Sequence, residues 1–388
     1  MTTDATGADS LALHAKHRGK IEISAKVPLA TRHDYSLAYS PGVAAVALAC
    51  AANPAETNRL TVRGNSVAVI SDGSAVLGLG NIGPAGALPV MEGKVALFKA
   101  LANIDGWPLV LASQNVAQTI ATVRNLAPSF AGINLEDFKA PECFEIEAAL
   151  QDLGIPVMHD DQHGTAIVVL AGLTNALRVV HKHKNEVRIV VNGAGAAAIA
   201  VTKLLIADGF AGNKIVLCDT KGAIYNGRSD LGASQKAEMA LITNADNLRG
   251  EIAEVLAGAD VFIGLSKANL LTQAHIKSMA PKAIVFALAN PVPEIYPVDA
   301  HAGGAVVVAT GRSDLPNQVN NSLAFPGVFR GAIDCGATRI TTEMKIAAAH
   351  ALAAIIANPT ADNILPFVTE TRVVPAVASA VANAWTNK

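Results

Sequence analysis

The stretch VRIVVNGAGAAAIA, residues 187–200, decides how the chain is read. Val187 to Asn192 form an apolar, β-branched run of strand character. Gly193-Ala194-Gly195-Ala196-Ala197-Ala198 follows directly and opens an alanine-rich helix. That helix leads to a second apolar run, KIVLCD (214–219), which ends in Asp219. Strand, glycine turn, helix and strand in this order are the setting in which such a turn holds a dinucleotide. Gly193 makes the sharp turn, and Gly195 lets backbone N–H groups approach a pyrophosphate. Ala198 keeps helix and strand close, and the helix N-terminus favours the anion. Asp219 stands where an acid commonly binds the ribose 2′-hydroxyl of NAD. Lys221, two residues on, could instead meet the 2′-phosphate of NADP, so the pair leaves both cofactors open.

Outward from this unit, short apolar runs alternate with helical stretches, which predicts an α/β fold. Strands are expected at 66–71, 108–112, 154–159, 187–192, 214–219, 260–265, 283–289 and 305–310. Helices are expected at 92–104, 115–127, 142–153, 164–181, 195–209, 250–258 and 342–357. The 388 residues suit two domains. The cut is placed near 160: an N-terminal α/β substrate and metal domain over 1–160, then a Rossmann-type dinucleotide domain over 161–388. The helix from 164 bridges them.

Composition narrows the function. Hydrophobic residues make up 51% and charged residues 16%, so the chain is globular. A formal charge of −2 offers no basis for binding nucleic acid or an anionic membrane. The HKHK run at 181–184 reads as a solvated helix end. No apolar run reaches the roughly 18–20 residues of a spanning helix, and the N-terminus lacks the basic-then-apolar order of a signal peptide. Four scattered cysteines, Cys50, Cys143, Cys218 and Cys335, fit reduced thiols in a cytoplasmic protein.

Three further strings carry chemistry. Gly78-Leu79-Gly80-Asn81-Ile82-Gly83 resembles a phosphate turn, but Pro84, Ala85 and Gly86 after it are expected to break a helix rather than open one. It reads better as a tight active-site loop. Asn134-Leu135-Glu136-Asp137-Phe138 and His159-Asp160-Asp161-Gln162-His163 each carry adjacent acids. Adjacent carboxylates can converge on one hard cation, and oxygen ligands select Mg²⁺ or Mn²⁺ over zinc. Spacing alone fits surface acids or helix caps equally well. His159 and His163, with no soft ligand nearby, read as packing or supporting residues.

Taken together, the strings resemble the malic enzymes in their short bacterial form, over roughly residues 20–340. The matching motifs are AYSPGVA (38–44), RGNSVAVISDGSAVLGLGNIG (63–83), PVMEGKVALFKAL (89–101), GINLEDFKAPECFEIE (132–147), HDDQHGTA (159–166), NGAGAAAIA (192–200), ALANPVPEI (287–295) and TGRSDLPNQVNNSLAFPGVFRGA (310–332). The resemblance implies oxidative decarboxylation of L-malate to pyruvate and CO₂ with reduction of NAD or NADP, in a homodimer or higher homo-oligomer. By motif, Glu136, Asp137 and Asp161 would hold the metal, Lys94 would be the base and Tyr39 the acid. Asp160 would support the metal or Lys94. Asn290, Asn320 and Asn321 would hold substrate and the nicotinamide end. A neutral amine must take the C2 hydroxyl proton, so Lys94 is expected to fall from about 10.4 towards 7–8 through burial and the adjacent cation.

Two departures from the family stand out. Larger relatives carry an arginine just after the Asp-Gly of the DG string, where it grips the substrate carboxylate. Here that stretch is Asp72-Gly73-Ser74-Ala75, which leaves asparagine side chains and backbone N–H groups of the 78–83 loop as candidates. Long bacterial hybrids also carry an acyltransferase-like extension, and regulation through one is not expected here. A malolactic reaction releasing lactate, a catalytically inactive dinucleotide sensor and a metal-free amino-acid dehydrogenase are the competing readings.

Overall fold

The computed structural model describes residues 2–386. Among them, two sheets flank one long apolar helix, Asp160–Val180. The first sheet contains β1 (Ser66–Ser71), β2 (Asp105–Val110), β3 (Gly132–Leu135) and β4 (Val157–His159), all parallel, in the order β2-β1-β3-β4. Its register pairs Ile70 with Leu135 and Leu135 with His159. Residues just past these strand ends therefore emerge on one edge, where parallel sheets place their ligands.

The second sheet holds β5 (Ile189–Asn192), β6 (Ile215–Asp219), β7 (Gly222–Ala223), β8 (Val261–Gly264), β9 (Ala283–Ala287) and β10 (Ala305–Thr310), in the order β10-β9-β8-β5-β6-β7. All pairings are parallel except that of the two-residue edge strand β7. This is the α/β Rossmann-like arrangement expected from the 187–219 unit.

The 160–180 helix supplies much of the core. Fifteen of its 21 residues are buried, among them Ile167, Val169, Leu170, Leu173 and Leu177. Each of these contributes about 1.5–3 kcal/mol relative to exposure. It packs against the helices Ala196–Ala207 and Thr342–Ala354. Later residues return to the first sheet unit. The helix Phe325–Asp334 sets the Phe325 and Phe329 rings edge-to-face on Phe98, with centroids 4.7 and 5.5 Å apart, a geometry that favours aromatic pairs.

Several expectations are corrected. The helix Gly83–Ala102 starts nine residues before the expected 92, with Pro84 in its first turn. The missing proline N–H costs nothing there, because a first-turn N–H has no intrahelical acceptor. Thus the 78–83 string does open a helix. The 160–180 helix likewise starts four residues early, its first turn carrying Asp160 and Asp161, where the helix dipole favours acids. β3 is a four-residue strand, too short for its alternation to show. Helices at Arg32–Ala38, Val43–Ala52, Gln235–Ile242 and Val373–Ala384 were not anticipated.

Two segments, Arg32–Ala52 and Asp160–Val180, are long and apolar enough to cross a membrane, against the count of apolar runs. The second is the core helix. The first is two helices separated by residues 39–42. None of residues 6–65 is buried.

Candidate active site

The register of β1, β3 and β4 gathers the acids. Glu136 and Asp137 follow β3, and Asp160 and Asp161 follow β4. One carboxylate oxygen from each of Glu136, Asp137 and Asp161 lies within 4.8 Å of the others. Asp137 sits in the left-handed region at φ +57°. Its N–H donates to Asp161 Oδ2 at 2.7 Å, and its carbonyl accepts from Ala75 at 2.9 Å. Asp137 Oδ1 accepts from the Leu77 N–H, while its buried Oδ2 has no partner. Burial, then the neighbouring acids, pushes Asp137 up to about 8, and Glu136 and Asp161 also rise, chiefly through burial. An unpartnered buried oxygen amid crowded carboxylates is the condition a hard divalent cation relieves.

Lys94, from the middle of the 83–102 helix, points into this cluster. Its Nζ lies 2.6 Å from Asp160 Oδ2, 2.8 Å from Glu136 Oε1 and 4.4 Å from the Phe325 ring centroid. Burial acts to lower the Lys94 pKa, but the charges of Asp160 and Glu136 outweigh it and hold the ammonium well above its ordinary value. The expected fall towards 7–8 is therefore not seen in this arrangement. Asp160 is wholly buried and pushed up to about 7 by burial, with Glu136 adding and Lys94 opposing. Its carboxylate folds back over its own helix. A Cβ at Gly164 would lie 1.9 Å from Asp160 Oδ1 and 3.1 Å from the Asn321 Cβ.

Supporting residues surround this cluster: His159 and His163, expected in such a role, and Asn134 and Glu147, which the motif reading left without one. Asn134 donates to Glu136 Oε2 at 2.8 Å. Glu147 accepts from the His159 N–H at 2.8 Å and from Gln162 at 3.2 Å, with His163 Nε2 at 3.0 Å. Burial pushes Glu147 up, yet His163 and Lys345 bring it down to about 2. His159 is buried with neither ring nitrogen partnered, so desolvation lowers it and it stays neutral. His163 thus joins a carboxylate rather than a metal cluster. The helical spacing of Glu147, on the 142–149 helix, gave no sign of this contact across the fold.

The glycine turn joins β5 to the 196–207 helix. Gly193 adopts φ +124°, and a Cβ there would meet Leu265 O at 2.7 Å. Only glycine suits that position. Ala194, Gly195, Ala196 and Ala197 follow without a side-chain cap, leaving first-turn N–H groups for an anion. Gly193 N–H donates to Cys218 O, which places the turn beside Asp219.

The 78–83 loop reaches the other sheet's turn. A Cβ at Gly78 would be 2.2 Å from Asn290 O, and one at Gly311 would be 2.5 Å from Asn290 Nδ2. Glu294, fully buried, fixes that turn by accepting from the N–H groups of Ala289 and Ser266. Arg312 donates to Pro291 O at 3.0 Å and was not singled out from the sequence. Asn81 pairs its amide with Gln114 at 2.9 and 3.0 Å, so that side chain is spent. Asn320 Oδ1 caps a short turn by accepting from Ser322, while Asn321 stands beside Asp160 across Gly164.

Tyr39 is the exception. It is 62% exposed, and its ring meets Tyr35 edge-on at 5.8 Å. The buried cluster above does not include it. A separate cavity of about 600 Å³ near His181 has its cations occupied: Lys184 and His350 on Asp208, Arg178 on the carbonyls of Ile356 and Ala357. The four cysteines are free thiols.

Comparison with known proteins identifies the family. Residues 18–118 match the family model "Malic enzyme, N-terminal domain", and residues 162–386 match "Malic enzyme, NAD binding domain". The chain is 52% identical over 382 residues to a bifunctional malic/malolactic enzyme of Bacillus subtilis, covering 97% of this chain and 92% of that one. It is 50% identical to an NAD-dependent malic enzyme of Geobacillus stearothermophilus, covering 94% of this chain and 76% of the relative. A solved NAD-dependent malic enzyme from Thermotoga maritima superposes with a TM-score of 0.92 at 48% identity, covering 96% and 98% of the two chains. With both domain models and these relatives aligned across nearly its whole length, the chain belongs to the malic enzyme family.

Proposed function

We propose that this chain oxidises L-malate and decarboxylates it to pyruvate and CO₂, using NAD or NADP and a divalent cation. The observation that carries this reading is Lys94, buried between Asp160 and Glu136 beside three converging carboxylates. Glu136, Asp137 and Asp161 would hold Mg²⁺ or Mn²⁺, which when bound would polarise the substrate's C2 oxygen as a Lewis acid. The turn Gly193–Ala197 and the Asn290 turn would hold the dinucleotide, with Asn320 and Asn321 on the substrate side.

In this reading Lys94 takes the C2 hydroxyl proton, and the dinucleotide when bound would supply the hydride acceptor. With Glu136 engaged as a ligand, Asp160 is the carboxylate left to Lys94, and the pair can pass one proton between them. Tyr39 gives its phenol proton to C3 after CO₂ has left. We place the division between the substrate domain and the dinucleotide domain at 160/161, and the active form as a cytoplasmic homodimer. Free thiols support the compartment. The uncovered apolar surface of residues 35–62, including Tyr35, Leu37, Val43, Leu48 and Val62, supports the dimer. The surface also carries Tyr39, so a second copy covering it would enclose the phenol.

The name of the Bacillus relative keeps the malolactic outcome in view. Absorbance of the reduced dinucleotide, followed with L-malate and Mn²⁺ while pyruvate is assayed in parallel, separates the readings. Reduced cofactor and pyruvate are expected in equal amounts, with both abolished by EDTA. Lactate without reduced cofactor would replace oxidation by the malolactic reaction. No turnover with dinucleotide still bound would leave a sensor.

A further inference from the structure

Glu147 is a carboxylate in a place that disfavours one. It stands in the last turn of the 142–149 helix, where the helix dipole is negative, and its side chain is only 13% exposed. Neither helix stability nor contact with water accounts for an acid there. What it meets is the junction of β4 with the 160–180 helix. Glu147 Oε1 accepts from the His159 N–H at 2.8 Å. Its Oε2 accepts from Gln162 Nε2 at 3.2 Å and lies 3.0 Å from His163 Nε2. Burial works against the charge, and His163 and then Lys345 outweigh it, leaving Glu147 ionised. An ionised carboxylate can only accept, so the His163 proton sits on Nε2.

These contacts come from His159, Gln162 and His163, and the residues they bracket are Asp160 and Asp161. The 160–180 helix has no side-chain N-cap of its own, so Glu147 ties down its first turn instead. His163 lies two residues past Asp161, about 200° around the helix. Glu147 therefore grips the face turned away from the Asp161 carboxylate. Asp161 is left to Glu136 and Asp137, within 4.8 Å, and Asp160 to Lys94 at 2.6 Å. A rotation of this one turn would carry both acids off their partners together.

We infer that Glu147 is the positioning residue of the cation site: its carboxylate fixes the first turn of the 160–180 helix and so sets how Asp161 meets Glu136 and Asp137. This rests on the reading of those three acids as the cation's ligands. Glu147 makes no hydrogen bond to any of the three side chains, so it acts through the turn it holds. Groups that orient a metal's ligands without touching the metal commonly matter about 10–100-fold in affinity.

Titration of the metal-free enzyme with Mn²⁺, followed by electron paramagnetic resonance, tests this without turnover. Glu147→Gln keeps the volume but offers one acceptor oxygen to three donors. It should weaken Mn²⁺ binding about 10–100-fold while NAD⁺ and NADP⁺ affinities stay within about twofold. His163→Leu should lose about tenfold in Mn²⁺ affinity, and His163→Gln, which can still donate, should return to within about threefold of wild type. Wild-type Mn²⁺ affinity in Glu147→Gln, with only the melting temperature lowered, makes the contact structural and overturns the assignment. Equal losses of Mn²⁺ and dinucleotide overturn it too, since they report a general loosening. Should Glu147→Gln fail to fold, the His163 pair decides, and unchanged Mn²⁺ affinity in His163→Leu overturns the assignment. Absence of Mn²⁺ binding by the wild type overturns the cation reading and the role of Glu147 together.

Discussion

The helices Val43–Ala52 and Asp160–Val180 are both rich in alanine, valine and leucine, yet fifteen residues of the second are buried and none of the first. The later helix is wrapped by its own chain, with the 196–207 and 342–354 helices against it. The earlier one leaves Leu48 72% exposed. The second even carries Asp160, Asp161 and Arg178 where the first has no charged residue, so the difference lies in what covers each helix. A helix apolar on all sides is stable only when buried. The residues of the proposed site divide along the same line: Lys94, Asp160 and the acids proposed to hold the cation lie in the covered half, and Tyr39 lies on the uncovered one.

Lys94→Met strikes the covered half hardest. Its kcat for malate oxidation should fall about 10³–10⁴-fold, the upper range for loss of a general base. Dinucleotide affinity should hold while the melting temperature falls, because Asp160 and Glu136 lose their buried cation; steady-state kinetics beside a titration and a thermal melt would show whether they do. Tyr39→Phe should cost about 10²–10³-fold in kcat, since one proton donor is lost. If a second copy encloses Tyr39, the two inactive variants should rescue each other. Co-refolded in equal amounts, they should recover about a quarter of wild-type activity, because half the random dimers carry one intact site. No recovery would place both residues in one chain and dissolve the contrast.

Leu48→Asp tests the cover directly. Sedimentation should show the dimer shifting towards monomer, with activity down about 10–100-fold at low protein concentration. The same change at Leu170 should prevent folding, as a charge buried without a partner does. Unchanged mass and activity for Leu48→Asp would show that this face needs no partner. The smallest effect belongs to Asp219. Its folded pKa is lowered from 3.8 to about 2 by Arg228 and Lys236 against the pull of burial. Its contribution is therefore present above pH 3.8 and lost as pH falls through about 2. Asp219→Asn should cost less than about 1 kcal/mol near neutrality, and thermal melts from pH 6 downwards should converge with the wild type.

What the sequence disclosed follows the same division. The 187–219 unit was legible because every contact that defines it is local, from the β-branched run to the glycine turn. β1 and β10 matched their expected bounds because fully buried parallel strands are continuous apolar runs. Residues 35–62 gave no such signal apart from the AYSPGVA string, since an apolar surface that its own chain leaves exposed has the composition of a core and the neighbours of none. The ionisation of Lys94 was misjudged for a related reason. Burial can be guessed from one helix, whereas two acids 42 and 66 residues away are brought to it only by the sheet register. Glu147 and Glu294 lie within the matching strings but received no role, because a single glutamate does not disclose which backbone groups the fold brings to it.

The carboxylate of Asp160 occupies the space that a side chain at position 164 would need. Glycine inside a helix normally costs about 0.5–1 kcal/mol against alanine, so drift towards alanine would be favoured on stability alone. Here that drift is closed, because even one methyl group would evict the group that holds Lys94. In a saturation library scored for growth on malate, position 164 should tolerate no replacement, although no atom of it reaches the chemistry. Selection for catalysis would then be written into the genome at a residue without a side chain.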